Sequence, residues 1–404
     1  MTAKPQVRFL DRTTPPHILT LILMAGLGAL SLNVFLPSLP SMAAYFGVDY
    51  TVMQLSVSLY LAATALVQVL VGPISDRYGR RSVMLWAIGI FTLASIGTLA
   101  APTYSFFLVC RLIQAVIATS LALSRAVVRD MVPQDQAASM IGYVTMGMSV
   151  VPMIGPVIGG ALDQAFGWRA SFAMLAIGGA ALFALVLADM GETATRREGG
   201  LRAQAAGYPE LLTSQRFWGY CLGSAFASGA FFAYLGGAPF VGTQVFGMAP
   251  ATLGFFFGAP AVGYLVGNGI SGRFSVRIGI NRMMLLGASV TICGMGLLAV
   301  LTLAGVITIP VFFGLMTTVG LGNGILLPSA NAGMLSVRPD LAGSASGLGG
   351  AFMIGGGAAL SALAGVVLTE SSGPLPLVLL MLATSVCALL MALWVIRRAR
   401  IVGA

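Results

Sequence analysis

Apolar residues fill this chain in long runs, and short polar stretches interrupt them at regular intervals. A helix of roughly 20 mostly apolar residues spans a bilayer, because it pairs internally the backbone groups that hydrocarbon cannot satisfy. Twelve runs reach that length. Residues 18 to 39, 52 to 72, 82 to 101, 104 to 127, 138 to 162 and 170 to 189 make a first set of six. Residues 217 to 239, 251 to 273, 283 to 304, 308 to 330, 342 to 368 and 375 to 396 make a second. The long polar connection between the sets, 191–216, carries Glu192, Arg196, Arg197, Glu198, Arg202 and Glu210. The pattern predicts an all-α membrane protein in two units, 1–190 and 217–404, joined by that linker.

One polar stretch is written twice. Gly72-Pro73-Ile74-Ser75-Asp76-Arg77-Tyr78-Gly79-Arg80-Arg81 follows the second run, and Gly272-Arg273-Phe274-Ser275-Val276-Arg277-Ile278-Gly279 follows the eighth with glycine, serine, arginine and glycine in register. A repeat at half the chain's length predicts a duplication. Basic residues favour the cytoplasmic side of a membrane. They fall at the N-terminus (Lys4, Arg8, Arg12) and then in alternate connections (Arg77, Arg80, Arg81; Arg129; the linker; Arg273, Arg277, Arg282; Arg338; Arg397, Arg398, Arg400), whereas the opposite connections hold Arg169 alone. Both termini are therefore expected in the cytoplasm.

Composition sharpens this picture. Charged residues are 8% of the chain and hydrophobic ones 58%, against about 25% charged in soluble domains. The net charge of +9 is spread singly over the connections, so it reads as a topology signal and not as a nucleic-acid surface. Cys110, Cys221, Cys293 and Cys387 each sit in an apolar run, and with one histidine, His17, there is no metal-ligand spacing. No phosphate-binding G-x-x-x-x-G-K-[ST] loop and no convergent nucleophile or acid suggests an enzyme or a nucleotide-driven pump.

The candidate chemistry lies in a few polar positions within the runs. All twelve acidic residues fall in connections or at helix ends, so no proton-carrying carboxylate is expected near mid-membrane. Arg111 lies about two turns into the fourth run. An arginine in a helix centre costs roughly 2.5 to 3.5 kcal/mol on insertion scales, so it is expected to face a polar cavity. Gln114, three residues on, shares its face. Asn33, near Pro37 and Pro40, reads either as helix–helix glue or as a cavity ligand. In the fifth run, Pro152, Gly155, Pro156, Gly159 and Gly160 predict a bent helix closely packed on a neighbour. Asp76, at a helix boundary, is suited to cap a helix N-terminus and to pair with Arg125, Arg129 or the start of the eleventh span.

The G-x-x-x-D-R-x-G-R-R segment resembles the signature loop of the major facilitator superfamily of transporters, and G-P-x-x-G-G in the fifth span resembles the antiporter signature of its drug exporters. Ser31-Leu32-Asn33-Val34-Phe35-Leu36-Pro37, Ser124-Arg125-Ala126-Val127-Val128-Arg129-Asp130, Gly237-Ala238-Pro239-Phe240-Val241 and Ala330-Asn331-Ala332 look like the bicyclomycin and chloramphenicol resistance (Bcr/CflA) exporters. That resemblance implies a monomer of twelve transmembrane helices in two pseudo-symmetric six-helix bundles. It implies proton-driven export of small drug-like molecules across the bacterial inner membrane, with no cofactor beyond the proton gradient. Gly72, Asp76, Arg77, Gly79, Arg80, Arg125, Arg129 and Asp130 become the cytoplasmic latch of the outward-facing state. Asn33, Phe35, Arg111 and Gln114 become cavity residues, with Phe231, Phe232, Tyr234 and Asn323, whose aromatic members fit packing equally well. Asn33 stands where that family commonly has an aspartate, which leaves Arg111 without its expected counter-charge. Export or import of a small metabolite such as an amino acid, peptide or nucleoside, with different or no proton coupling, is the alternative.

Overall fold

The computed structural model describes residues 7–131, 151, 154–193, 208–338, 342–369 and 372–402. Pro152, and everything beyond the backbone of Gly72, Asp76 and Arg129, lie outside the described residues. The first six helices are α1 (Ile18–Phe46), α2 (Tyr50–Tyr78), α3 (Arg80–Leu99), α4 (Tyr104–Val128, helical on to Met131), α5 (154–166) and α6 (Arg169–Asp189). After a short helix, Tyr208–Thr213, come α7 (Gln215–Val245), α8 (Pro250–Ile278), α9 (Ile280–Leu303), α10 (Ile309–Ser336), α11 (Ala342–Val367) and α12 (Leu375–Val402). Eleven of these are long and apolar enough, among the described residues, to cross a membrane. The remaining expected span, 138–162, is described at residue 151 and from residue 154 onward, where it is helical.

Several helices outrun their apolar stretches. The signature segment expected to be a loop is the last part of α2, which stays helical through Tyr78. Leaving the hydrocarbon removes the need for apolar side chains but not the backbone hydrogen bonds, so the helix ends where the backbone turns and not where hydropathy falls. That turn is Gly79, at φ 90° and ψ 146°. Its counterpart Gly279 adopts φ 87° and ψ 146° between α8 and α9. The pair, 200 positions apart, shows the duplication in the backbone itself, since only glycine takes such a conformation at little cost. Pro37 and Pro40 sit in the first turns of a 3₁₀ turn (Leu36–Ser38) and of the helix Leu39–Phe46. Proline is tolerated there because the first N–H groups of a helix have no intrahelical partner.

Glycines set the closest crossings. A Cβ at Gly263 would come to 1.9 Å from the Thr317 carbonyl oxygen, and one at Gly320 to 1.6 Å from that of Pro260, so α8 and α10 touch backbone to backbone. Without a hydrophobic force between helices in lipid, contact at this range is what holds them together.

Candidate functional site

Arg111 is wholly buried where α1, α2, α3 and α4 converge. Nη1 donates to Gln114 Oε1 at 2.9 Å and Ser31 Oγ at 3.2 Å, and Nη2 donates to the Ser31 carbonyl at 2.7 Å. Rings cover the guanidinium: its carbon lies 3.8 Å from the Tyr60 centroid and 4.2 Å from that of Phe35. The Tyr60 hydroxyl reaches Ser31 Oγ at 3.1 Å, while Gln114 Nε2 donates to Ser95 Oγ at 2.8 Å, which donates to the Phe91 carbonyl at 2.8 Å. Among the described residues no carboxylate pairs with Arg111. Desolvated cation–π contacts are worth about 2 kcal/mol each, so two are of the same order as the roughly 3 kcal/mol insertion cost. Aromatic faces and a carbonyl take the part of the missing acid.

Asn33 does not reach this cluster; the α1 residue that does is Ser31. Asn33 Nδ2 instead donates to the Ala29 carbonyl one turn back, at 2.7 Å, and Oδ1 is buried without a partner. Its neighbour is the glycine face of α5. A Cβ at Gly155 would lie 3.5 Å from that of Asn33, and one at Gly159 only 1.6 Å from the Val34 carbonyl oxygen. Gly160 faces the other way, where a Cβ would stand 2.3 Å from the Pro250 carbonyl oxygen. One at Gly254 would come to 2.3 Å from that of Pro156. The small residues of α5 thus wedge it against α1 within the first half and against α8 across to the second.

The second-half candidates lie deep in packing. Tyr234 is wholly buried, stacks on Phe257 at 4.7 Å between ring centroids and donates its hydroxyl to the Phe257 carbonyl at 2.9 Å. Phe232 abuts Gly357 of α11, where a Cβ would come to 2.2 Å from its ring. Phe231 is half-buried between the two, and Asn323 is buried on α10.

A polar junction that the sequence reading did not single out joins the halves. In the first turns of α2, Gln54 Nε2 donates to the Ser361 carbonyl and, at 2.8 Å, to Ser361 Oγ. The Tyr50 hydroxyl donates to the Gly236 carbonyl at 2.8 Å and Thr51 Oγ1 to that of Gly365 at 3.3 Å. The chain signals the junction by Gln54, a polar side chain at the mouth of an apolar run opposite glycines. A Cβ at Gly236 would come to 2.6 Å from Gln54 Nε2, and one at Gly365 to 2.8 Å from Gln54 Oε1.

The latch candidates occupy the opposite helix ends. Arg80 Nε pairs with Asp130 Oδ2 at 3.2 Å, tying the start of α3 to the end of α4. Arg77 is exposed beside the Tyr78 ring, and Arg125 is exposed on α4. Capping of a helix N-terminus, expected of Asp76, falls at α3 to Glu192. The Arg80 and Arg81 N–H groups donate to its two carboxylate oxygens at 2.7 and 3.3 Å. Glu192 lies so close over Gly79 that a Cβ there would stand 2.3 Å from Oε2. Nearby, the buried Asp189 accepts from Leu10 N–H at 2.7 Å, His17 N–H at 2.9 Å and Thr20 Oγ1 at 2.6 Å, fixing the N-terminal segment to the end of α6. Neither carboxylate stood out in the sequence, because most of their partners are backbone N–H groups more than a hundred residues away.

Residues 21–362 match the family model described as Major Facilitator Superfamily. The chain is 30% identical to a chloramphenicol resistance protein of Pseudomonas aeruginosa, over 82% of its own length and 78% of the relative's. It is 24% identical to a bicyclomycin resistance protein homolog of Haemophilus influenzae, over 90% and 92%. Among solved structures, it resembles a bacterial homolog of the human lysosomal transporter Spinster in an inward-facing, unoccupied conformation, with a TM-score of 0.71 at 16% identity over 95% of this chain and 96% of that one.

Proposed function

This chain belongs to the Major Facilitator Superfamily and is a multi-pass membrane transporter, and from that premise we propose that it exports small drug-like molecules from the bacterial cytoplasm by proton-coupled alternating access. The relatives named for chloramphenicol and bicyclomycin resistance support phenicol-type or bicyclomycin-type cargo. One observation carries the mechanism. The hydrogen bonds of Tyr50, Thr51 and Gln54, and the contacts of Gly160 and Gly254, gather at helix ends that the arginine distribution assigns to the outside. Closure there leaves the cytoplasmic end as the entry, the arrangement expected of an exporter awaiting cargo. The chain works alone, both termini are cytoplasmic, and the proton gradient drives it without a cofactor. The Arg80–Asp130 pair is already made in this state and ties α3 to α4 within the first half; the neighbouring latch residues brace the opposite state.

A second reading has its own support. With no acid beside it, Arg111 keeps a positive potential in the first half, which favours anionic or zwitterionic cargo, a metabolite among them. Export of matched anionic and cationic compounds tests this reading, and equal or cation-biased export would sink it; proton movement on substrate addition, followed in proteoliposomes with phenicols, tetracyclines and neutral metabolites, tests the first. Phenicol-driven proton flux that Arg111→Ala abolishes supports drug antiport. Flux seen in Asn33→Asp and not in the natural protein makes the natural protein a facilitator or a differently driven carrier.

A further inference from the structure

A groove of about 620 Å³ runs along the outer face of α9 where it meets α10, apart from the Arg111 cluster, the junction between the halves and the latch candidates. Its floor is α9: Leu286, Ser289, Cys293 and Leu297 are exposed in one line, and Leu315 and Thr318 of α10 form a wall. The small side chains of Ser289 and Cys293 between two leucines hollow the surface. At the end nearest the Gly279 turn the line closes with Arg282, also exposed and lining the same groove. Arg282 has no ion pair or hydrogen bond among the described residues. The first half uses its corresponding charges differently. There Arg80 is paired with Asp130, Arg81 donates to the Leu187 carbonyl at 3.0 Å, and position 82, the counterpart of 282, is serine. The free cation with an apolar trough below it is therefore particular to the second half.

From these features we propose that the α9/α10 groove is a binding site for an anionic phospholipid, its phosphate on Arg282 and one acyl chain along Leu286, Ser289, Cys293 and Leu297. A guanidinium matches a phosphate in shape and charge, and a juxtamembrane arginine draws anionic headgroups most strongly at the membrane surface. Length agrees. From 282 to 297 the helix rises roughly 22 Å, against about 15 Å for one leaflet of a ~30 Å core, so an acyl chain hung from Arg282 lies in the groove for its whole leaflet. Arg273 and Arg277, exposed in the preceding turns, add positive charge at the same membrane face. The site requires a membrane-embedded chain and is independent of the transported compound.

The test uses the full-length protein in detergent, with dioleoyl phosphatidylglycerol, dioleoyl phosphatidylcholine or inorganic phosphate added, and lipid adducts counted by native mass spectrometry. Phosphatidylglycerol should bind about fivefold better than phosphatidylcholine, Arg282→Ala should erase the preference, and Ser289→Trp should block both lipids. The exposed Cys293 gives a second measurement on the unmodified chain: phosphatidylglycerol should slow its alkylation severalfold more than phosphatidylcholine does. Equal binding of the two lipids, an unchanged preference in Arg282→Ala, or lipid binding that survives Ser289→Trp overturns the proposal. Protection of Cys293 by inorganic phosphate alone would also overturn it, by making the site one for a free anion.

Discussion

A buried arginine without an acid must be held by something weaker and more numerous, and Arg111 is held by two rings, one carbonyl, one amide and one hydroxyl. The components should be separable. Tyr60→Phe keeps the ring face and loses the hydroxyl contact to Ser31, about 1 kcal/mol. Tyr60→Ala also loses the ring face, about 2 kcal/mol more before any cavity cost. Thermal unfolding in detergent should rank natural protein, Tyr60→Phe, Tyr60→Ala in falling order, and equal midpoints for the two variants would show that the ring face contributes nothing. Arg111 itself was legible in the sequence because an intramembrane cation is rare. Tyr60 and Ser31 were not, since a tyrosine or serine in an apolar run is ordinary and only the registry of α2 against α1 brings them to the guanidinium. Asn33 behaves as a residue of its own helix, its amide turned onto Ala29. In Asn33→Asp only the protonated acid can donate to that carbonyl, so this variant gains a proton-binding group that the natural chain lacks there.

At the scale of elements, the twin turns at Gly79 and Gly279 have equal backbones and unequal surroundings. Alanine at either position is strained by about 1 to 2 kcal/mol, the cost of a side chain at positive φ. At Gly279 nothing lies within 4 Å of the added Cβ, whereas at Gly79 it collides with Glu192 and displaces the cap of α3. Losing a cap costs about 1 kcal/mol further. Gly79→Ala should therefore lower the unfolding midpoint more than Gly279→Ala, and Glu192→Ala should account for much of the gap. Equal losses at the two glycines would mean that the cap contributes little. The repeat of these turns was readable from spacing alone. The helical state of the segment before each was not, because hydropathy marks where a span leaves the bilayer, while the helix persists until a residue breaks its backbone.

For the molecule as a whole, what matters is how firmly the first six helices hold the second six. The junction at Tyr50, Thr51 and Gln54 consists of neutral hydrogen bonds, mostly to backbone carbonyls, each worth about 0.5 to 1.5 kcal/mol net. Interactions of that size can be made and broken in a cycle, as a strong buried ion pair cannot. Gln54→Leu removes two of them and should shift the balance between closed and open ends by about 5- to 160-fold. Spin labels at Phe166→Cys and Val306→Cys, on exposed positions of the α5 end and the α9–α10 connection, should then show a longer-distance population. Gln54→Glu gives the shift a pH sign. The protonated acid can donate to the Ser361 carbonyl as the amide does. The carboxylate cannot, and it would face that oxygen as a like partial charge. The variant should therefore resemble the natural protein in acid and open at this end as pH rises through the ionisation of the new side chain, whereas natural Gln54 stays indifferent to pH over the same range. Distances in Gln54→Glu that do not change with pH, or that lengthen in acid, would show that this junction is not what closes the outer end.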